Sequence, residues 1–341
     1  MTRDPLQRFT RKRAILRAPK SGYQKVNNSY VIDFVFRVFR IVGSTVLKLC
    51  VFPTIIFIAG WALLNIEVLN RIDTTKDPTN LVHQIDEFWY RVAIGIFLAL
   101  PVILIAMAWI ISVANTCVSD QILNRSRSES NLNKIAMNNL PKCVLALLFL
   151  ILWSLVPLMC GLAFAGIASV TKGTISSVFT WIGFALLFVG ILWFIYFLVG
   201  GSFIPIVTMN EPLNPIKALK RSLTLSKGVR GLGESPTSII LVFCFVLLIV
   251  YGIIYAGIQS PIQYLDLSRV LTKEVHNPRQ LEFCQFLIAQ IPTAIDQWIC
   301  FSLYAVAIAT IYYESRIRFE GLDIEILAQS MPQGEDLGFI L

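Results

Sequence analysis

The chain has 341 residues, of which 56% are apolar and only 15% carry a charge, and its formal net charge at neutral pH is +8. Its mean hydropathy is +0.69. Soluble domains carry about 25% charged residues, so this composition excludes a soluble enzyme. Long apolar segments cross a bilayer as helices, because a helix satisfies its own backbone hydrogen bonds. The sequence therefore predicts an all-α, polytopic helical membrane protein.

Positive charge is distributed unevenly along the chain. Twenty-one of the 29 Lys and Arg residues lie in segments 1–42, 119–142, 210–234 and after residue 313, whereas seven lie in the alternating segments 65–91, 172 and 266–282. Cytoplasmic loops of membrane proteins are enriched in Lys and Arg. The pattern predicts that both termini are cytoplasmic. It also indicates that the basicity reports orientation and contact with anionic lipid headgroups, rather than nucleic-acid binding.

Six apolar segments predict a six-helix transmembrane domain over residues 43–313. The predicted spans are residues 43–64, 92–115, 143–168, 176–201, 236–259 and 287–313. Each is long enough for a hydrocarbon core of about 30 Å at a rise of about 1.5 Å per residue. An even number of spans places both ends of the chain on one side of the membrane, in agreement with the charge distribution.

Residues outside the spans divide into polar termini and one amphipathic helix. Residues 1–28 form a basic segment without apolar periodicity, and residues 314–341 form a tail; we expect both to be cytoplasmic and the first to be mobile. Residues 29–42 differ, because their apolar positions follow helical spacing. Those positions are Val31, Phe34, Val35, Val38, Phe39 and Val42. This pattern predicts an interfacial helix lying on the inner leaflet, either as a lead-in to the first span or as a lipid or partner sensor.

A second interfacial helix is predicted over residues 215–227. Pro215 suits the first position of a helix, and Gly228 suits the residue that ends one. Ile216, Leu219 and Leu223 fall on one face of this helix, and basic residues surround the remainder. We therefore expect it to be basic and to lie beside anionic headgroups.

Motifs of the common catalytic and metal sites are absent from the sequence. The seven cysteines include no CxxC pair, the two histidines are not in an HExxH-type pattern, and no GxSxG, Walker or GxGxxG motif occurs. The grouping nearest to a lipid-headgroup enzyme is Glu211 with residues 314–325, which lacks an obvious nucleophile. We therefore expect no catalytic residue, no metal and no cofactor.

Polar residues within the last predicted span suggest a different kind of site. Asp296 and Gln297 lie in its first half, and Asn115 lies near the end of the second span. A carboxylate in hydrocarbon is costly, so one hypothesis is a proton- or cation-coupled site in a small-solute or ion transporter, with Asn115 approaching Asp296. The alternative is that Asp296 lies in the wet outer interface, because residues 298–313 alone are short for a span.

Small residues four positions apart occur in two spans. Gly161 with Ala165, and Gly252 with Ala256, are pairs that let transmembrane helices approach closely. We interpret both pairs as packing features.

Two segments resemble a bacterial membrane family. They are IPIVTMNEPLNPIKALKRSLTLSKG, with Glu211, Ala218, Arg221, Ser222, Lys227 and Gly228, and IYYESRIRFEGLDIEILAQ, with Tyr312, Tyr313, Glu314, Arg316, Arg318, Glu320, Gly321 and Asp323. The family is that of the glycerophosphoryl diester phosphodiesterase membrane domain and its YciC-like relatives, from which residue 314 departs by Glu for Asp. The phosphodiesterase chemistry of that family belongs to a separate barrel domain of about 250 residues, for which the segments outside the spans are too short.

The second motif also has a direct physical interpretation. Glu314 with Arg318, and Arg316 with Glu320, are favourable pairs at i,i+4 spacing. The motif residues therefore serve either as helix-end anchors or as contacts to headgroups or to a partner protein. The candidate contact residues are Glu211, Lys220, Arg221, Arg316 and Arg318.

Taken together, the residues and the resemblance favour a six-span protein of a bacterial plasma membrane without enzymatic activity. We expect it to act as a scaffold, accessory subunit or regulator. Its expected partners are anionic lipids of the inner leaflet and other membrane proteins or a second copy of the chain. The alternative is the transporter that uses Asp296.

Overall fold

The computed structural model describes residues 28–69, 81–123, 125, 127–170, 174–228, 235–264 and 278–320. These residues form eight α-helices and no strand. The helices are α1 (Asn28–Leu69), α2 (Leu81–Ile122), α3 (Glu129–Val170), α4 (Thr174–Gly200), α5 (Ile204–Asn210), α6 (Pro215–Lys227), α7 (Pro236–Tyr264) and α8 (Pro278–Glu320). The predicted N-terminal segment up to residue 27, and the tail after residue 320, lie outside the described residues.

Six helical segments are long and apolar enough to cross a membrane. They are Tyr30–Leu64, Ala93–Ile122, Glu129–Ala168, Ser176–Asn210, Pro236–Ile258 and Gln290–Arg318. The prediction of an all-α polytopic protein with six spans is therefore confirmed. Each segment overlaps one predicted span, but most are longer, because polar residues continue a helix beyond the apolar part that hydropathy detects.

Helix α8 is the centre of the bundle and contacts α1, α2 and α7. Val306, Ile308 and Ile311 of α8 are buried in the main hydrophobic cluster. The indole Nε1 of Trp298 donates a hydrogen bond to the carbonyl oxygen of Leu47 on α1, at 2.9 Å. The centre of the protein is thus a continuous helix rather than a broken one, although Pro292 lies within it.

Helix α1 runs without interruption from Asn28 to Leu69. The sequence places a boundary near residue 42 between an interfacial helix and the first span, and the structure has no break there. Val31, Val35 and Val38 are fully or almost fully buried, and they belong to the same cluster as α8. The apolar stripe of residues 29–42 therefore packs against the protein core, because it continues in register along one face of α1.

Glycines allow α3 and α4 to pack closely. A Cβ atom at Gly161 would lie 2.9 Å from the backbone nitrogen of Leu187, and one at Gly190 would lie 3.0 Å from that of Leu158. The predicted packing role of Gly161 is confirmed. The same prediction for Gly252 is wrong, since no atom of the described structure lies within 4 Å of a Cβ atom placed there.

Candidate functional site

Helix α6 is positioned by contacts with the turn that follows α4. The hydroxyl of Ser222 donates a hydrogen bond to the carbonyl oxygen of Gly200, at 2.7 Å. A Cβ atom at Gly200 would lie 2.9 Å from the Cδ2 atom of Leu223, so the two helices are in close contact here. At the far end of α6, the hydroxyl of Thr237 donates to the carbonyl of Ser226, at 2.8 Å. These contacts attach the C-terminal half of α6 to the bundle.

The buried face of α6 contacts protein. Ala218, Leu219 and Leu225 are buried, whereas Ile216 is 71% exposed. The helix has the predicted bounds of 215–227, but Ile216 does not share the buried face of Leu219. The buried face is centred on Ala218 and Ser222, because these small side chains let α6 approach the turn after α4. We call the region around α6, together with the ends of α5 and α8, the α6 end of the bundle.

Four charged residues and one tyrosine meet at the α6 end. Glu211 follows α5, Arg221 lies on α6, and Tyr312, Arg316 and Glu320 lie on the last turns of α8. We call these five residues the charge cluster. The charge cluster joins the end of α5 and helix α6 to the end of α8, and Arg221 and Glu320 are 99 residues apart in sequence.

The hydrogen bonds of the charge cluster centre on the two carboxylates. Arg221 Nε lies 3.3 Å from Glu211 Oε2, and Arg221 Nη2 donates to Glu320 Oε2 at 2.6 Å. Arg316 Nε donates to the same oxygen of Glu320 at 3.1 Å, and Arg316 Nη1 lies 4.0 Å from Glu211 Oε1. The hydroxyl of Tyr312 donates to Glu211 Oε1 at 3.1 Å. Each carboxylate is therefore contacted by both arginines.

The charge cluster is electrically balanced and mostly removed from solvent. Its two arginines and two glutamates have side chains that are 17–29% exposed. Burial alone would lower the pKa of Arg221, but hydrogen bonds and charge interactions with Glu320 and Glu211 outweigh it and raise the pKa. Such a charge-balanced and hydrogen-bonded cluster holds α6 and the end of α8 in fixed relative positions, because removing one member leaves an uncompensated charge.

The structure brings together only some of the residues that the sequence selects as contacts. Glu211, Arg221 and Arg316 lie in the charge cluster. Lys220 and Arg318 do not take part in the charge cluster. Lys220 is exposed to the surroundings of α6, and Arg318 donates a hydrogen bond to Glu314 at 2.8 Å. Tyr312 and Glu320 are contacts that the sequence did not predict. A signal was present, because Tyr312, Arg316 and Glu320 follow one another at i,i+4 spacing on a single face of α8.

Asn115 takes part in a second link at the α6 end. Its amide nitrogen donates to Asn210 Oδ1 at 3.3 Å, and the amide nitrogen of Asn210 donates back to Asn115 Oδ1 at 3.2 Å. This reciprocal pair joins α2 to the end of α5. Asn115 does not approach Asp296, contrary to the hypothesis of a shared site. Asp296 lies 16 residues before Tyr312 on α8, about 24 Å along the helix axis.

Asp296 lies in a separate polar position within α8. Its side chain has no exposed area. The thiol of Cys300 donates to Asp296 Oδ1 at 3.4 Å, while Asp296 Oδ2 and the buried Gln297 Oε1 have no hydrogen-bond partner in the described structure. The charge cluster at the α6 end and the Asp296 position are therefore separate polar locations in the described part of the chain.

Comparisons of the chain with protein-family models, with curated proteins and with solved structures find no match. The resemblance of the two motifs to a membrane family stays a prediction. The fold and the two polar locations are the basis for assigning a function.

Proposed function

We propose that this chain is a non-enzymatic integral membrane protein of a bacterial plasma membrane, acting as a scaffold, accessory subunit or regulator. In this proposal the α6 end faces the cytoplasm and binds anionic lipid headgroups. This proposal is supported by the different environments of the arginines and the lysines at that end. The arginines of the charge cluster are bound to Glu211 and Glu320, whereas the lysines of α6 are exposed.

The exposed face of α6 has the composition of a headgroup-binding surface. Lys217, Lys220 and Lys227 are exposed, and Ile216 lies exposed beside them. A lysine near an anionic membrane surface contributes about 1 kcal/mol of attraction. An apolar side chain at the same level inserts among the acyl chains while the ammonium groups contact phosphates. Because Ser222 and Ser226 hold α6 against the bundle, the three lysines are presented on a fixed surface.

The bonding of Glu211 supports the absence of enzymatic activity. A general base needs a free lone pair directed at its substrate. Glu211 already accepts hydrogen bonds from Arg221 and Tyr312, and Arg316 lies beside it. Such a carboxylate is engaged by cations and a hydroxyl of its own chain, which suits an anchor rather than an acid or base catalyst.

Replacing Lys217, Lys220 and Lys227 together with glutamine is expected to weaken binding of anionic lipid. At about 1 kcal/mol per lysine, the affinity for phosphatidylglycerol falls roughly 100-fold at low ionic strength. Native mass spectrometry of the purified protein, with phosphatidylglycerol and phosphatidylcholine in competition, measures this affinity. The matched control changes the same residues to arginine, which keeps the charge and the lipid preference. Equal lipid preference in the glutamine variant would show that α6 is not the headgroup site.

A second candidate function is small-solute or ion transport, which the burial of Asp296 favours. A carboxyl group retained inside a helix bundle is typical of substrate and ion pathways. The experiment that separates the two functions uses Asp296→Cys in a cysteine-free background with membrane-impermeant thiol reagents. In a scaffold with the described packing, residue 296 stays unlabelled from both sides. Labelling from one side that a solute blocks would support the transporter.

A further inference from the structure

Two acidic side chains are buried among the described residues, and they differ in their surroundings. Asp120, at the end of α2, lies 3.3 Å from Arg127 Nη1. Asp296 is fully buried, and its interactions with described residues include no Lys or Arg. The carboxylates of the charge cluster resemble Asp120, because each has an arginine beside it. Asp296 is therefore the buried carboxyl group whose charge has no described counterion.

The neighbouring helices differ in the titratable groups that they place near Asp296. On α8 itself, Cys300 donates its thiol proton to Oδ1. On α7, Tyr251 lies within electrostatic range of Asp296 and stacks on Tyr255, with ring centroids 6.1 Å apart. On α1, Lys48 is 70% exposed and its Nζ lies 3.8 Å from Glu129 instead. On α2, residues 92–114 contain no titratable side chain. These elements supply thiol and phenol groups but no cation directed at Asp296.

An ionised carboxylate in this position would be strongly unfavourable. Removing an ion from water costs several kcal/mol unless an opposite charge compensates it. The unsatisfied Oδ2 atom adds the cost of a buried acceptor without a donor. The group can be neutralised either by a proton or by a metal ion.

The available ligands distinguish these two ways of neutralising the charge. Hard metal cations take about six or more oxygen ligands, usually including more than one carboxylate. Among the described residues, no three His, Cys, Asp or Glu side chains lie together so as to hold a metal. A proton needs only the carboxyl oxygen that carries it. The surroundings of Asp296 therefore suit a proton and not a metal ion.

We propose that Asp296 is a proton-binding site, with its carboxyl group protonated at neutral pH and the proton on Oδ2. This inference goes beyond the proposed scaffold function and holds for either candidate function. It gives the bundle one neutral acid that can release a proton when Asp296 becomes hydrated. It also explains why an acidic residue fits at a position where its interactions with described residues include no Lys or Arg.

Infrared spectroscopy tests the protonation state directly. The full chain is reconstituted in phospholipid nanodiscs, and the spectrum of Asp296→Asn is subtracted from that of the wild type. The expected result is the carbonyl stretch of a carboxylic acid at neutral pH, which the spectrum of the variant lacks. Asparagine has nearly the shape of the neutral acid, so this variant keeps the fold, as circular dichroism checks. A carboxylate band instead, throughout the range from about pH 6 upwards, overturns the proposal.

The matched control is Asp120→Asn, because Asp120 is also buried with oxygens that accept no hydrogen bond, but Arg127 lies beside it. Its difference spectrum is expected to show loss of an ionised carboxylate. Dicyclohexylcarbodiimide provides a second measurement, since it reacts with protonated carboxyl groups in apolar surroundings. The O–H bond of the acid adds across one C=N bond, and the acyl group then moves from oxygen to nitrogen, giving a stable N-acylurea. We expect this adduct at Asp296 and not at Asp120. Protection of Asp296 by Na⁺ or K⁺ at constant pH would assign the site to a metal ion and overturn the proposal.

Discussion

Glu211→Gln is expected to lower the free energy of unfolding by about 3 kcal/mol. Removing one member of a buried ion pair costs about 3–5 kcal/mol, and the partial exposure of this cluster places the effect at the lower end. The substitution leaves Arg221 and Arg316 with only Glu320 to balance their charge, and it replaces one of the two acceptor oxygens at residue 211 with an NH2 donor. Equilibrium unfolding of the purified protein in mixed micelles, by titration with a denaturing detergent, measures this change.

The control for this prediction is an ion pair of the same chemistry in an exposed place. Arg37 and Asp33 are 2.9 Å apart on α1, with side chains that are 48% and 67% exposed. Arg37→Gln is expected to change stability by no more than about 0.5 kcal/mol, because water screens such pairs. In the double variant Glu211→Gln/Arg221→Gln, the loss should be smaller than the sum of the single losses, since each removes what the other leaves unpaired. Equal effects of Glu211→Gln and Arg37→Gln on the free energy of unfolding would refute the role of the charge cluster in holding the helices together.

Gly201→Ala is expected to destabilise the protein by about 2 kcal/mol and to loosen the α6 end. A Cβ atom at this position would lie 2.5 Å from both the carbonyl oxygen of Phe197 and the Cδ1 atom of Leu150. The backbone cannot move away freely, because Ile204 and Ile206 just after it are buried. Overpacking of this kind costs about 1–3 kcal/mol. The same unfolding titration measures stability, and thiol labelling of a cysteine introduced at the buried Ala218, in a cysteine-free background, measures local loosening.

Gly252→Ala is the matched control for Gly201→Ala. It introduces the same methyl group into a helix where the described structure has open space. Alanine favours helix more than glycine does, by about 1 kcal/mol, so this variant should be as stable as the wild type or slightly more stable. Destabilisation of both variants to the same extent would mean that the tight turn after α4 has no special role.

Features that depend on local sequence were predictable. The spans follow from apolar composition, which decides whether a segment can reside in hydrocarbon. The pairs Arg316–Glu320 and Arg318–Glu314 were expected from i,i+4 spacing, and both are present, at 3.1 and 2.8 Å. The lengths of α1 and α8 were underestimated, because hydropathy marks the membrane part of a helix and not its ends. In α1, the stripe beginning at Val31 was interpreted as lipid-facing because sequence alone does not show which surface covers an apolar face.

Contacts between distant parts of the chain could not be predicted in the same way. Glu320 lies 99 residues after Arg221, and Asn210 lies 95 residues after Asn115. No periodicity relates such positions, and each contact depends on the angles at which several helices cross. The sequence therefore indicated which residues at the α6 end carry charge, but not that Arg221 would bind two carboxylates of its own chain.

The position of α8 at the centre of the bundle has a consequence for biosynthesis. Helices enter the membrane in the order in which the ribosome produces them, and α8 follows the seven other described helices. Until it is inserted, the valine stripe of α1 has no packing partner from α8, and Arg221 has only Glu211 to bind. The pairs α1–α2 and α3–α4 pack directly on each other and can form before α8 is made, but the contacts of the earlier helices with α8 are missing until then. Insertion of α8 brings Glu320, Arg316 and Tyr312 to the α6 end in one step, so completion of the core and of the charge cluster is a single late event in the synthesis of this protein.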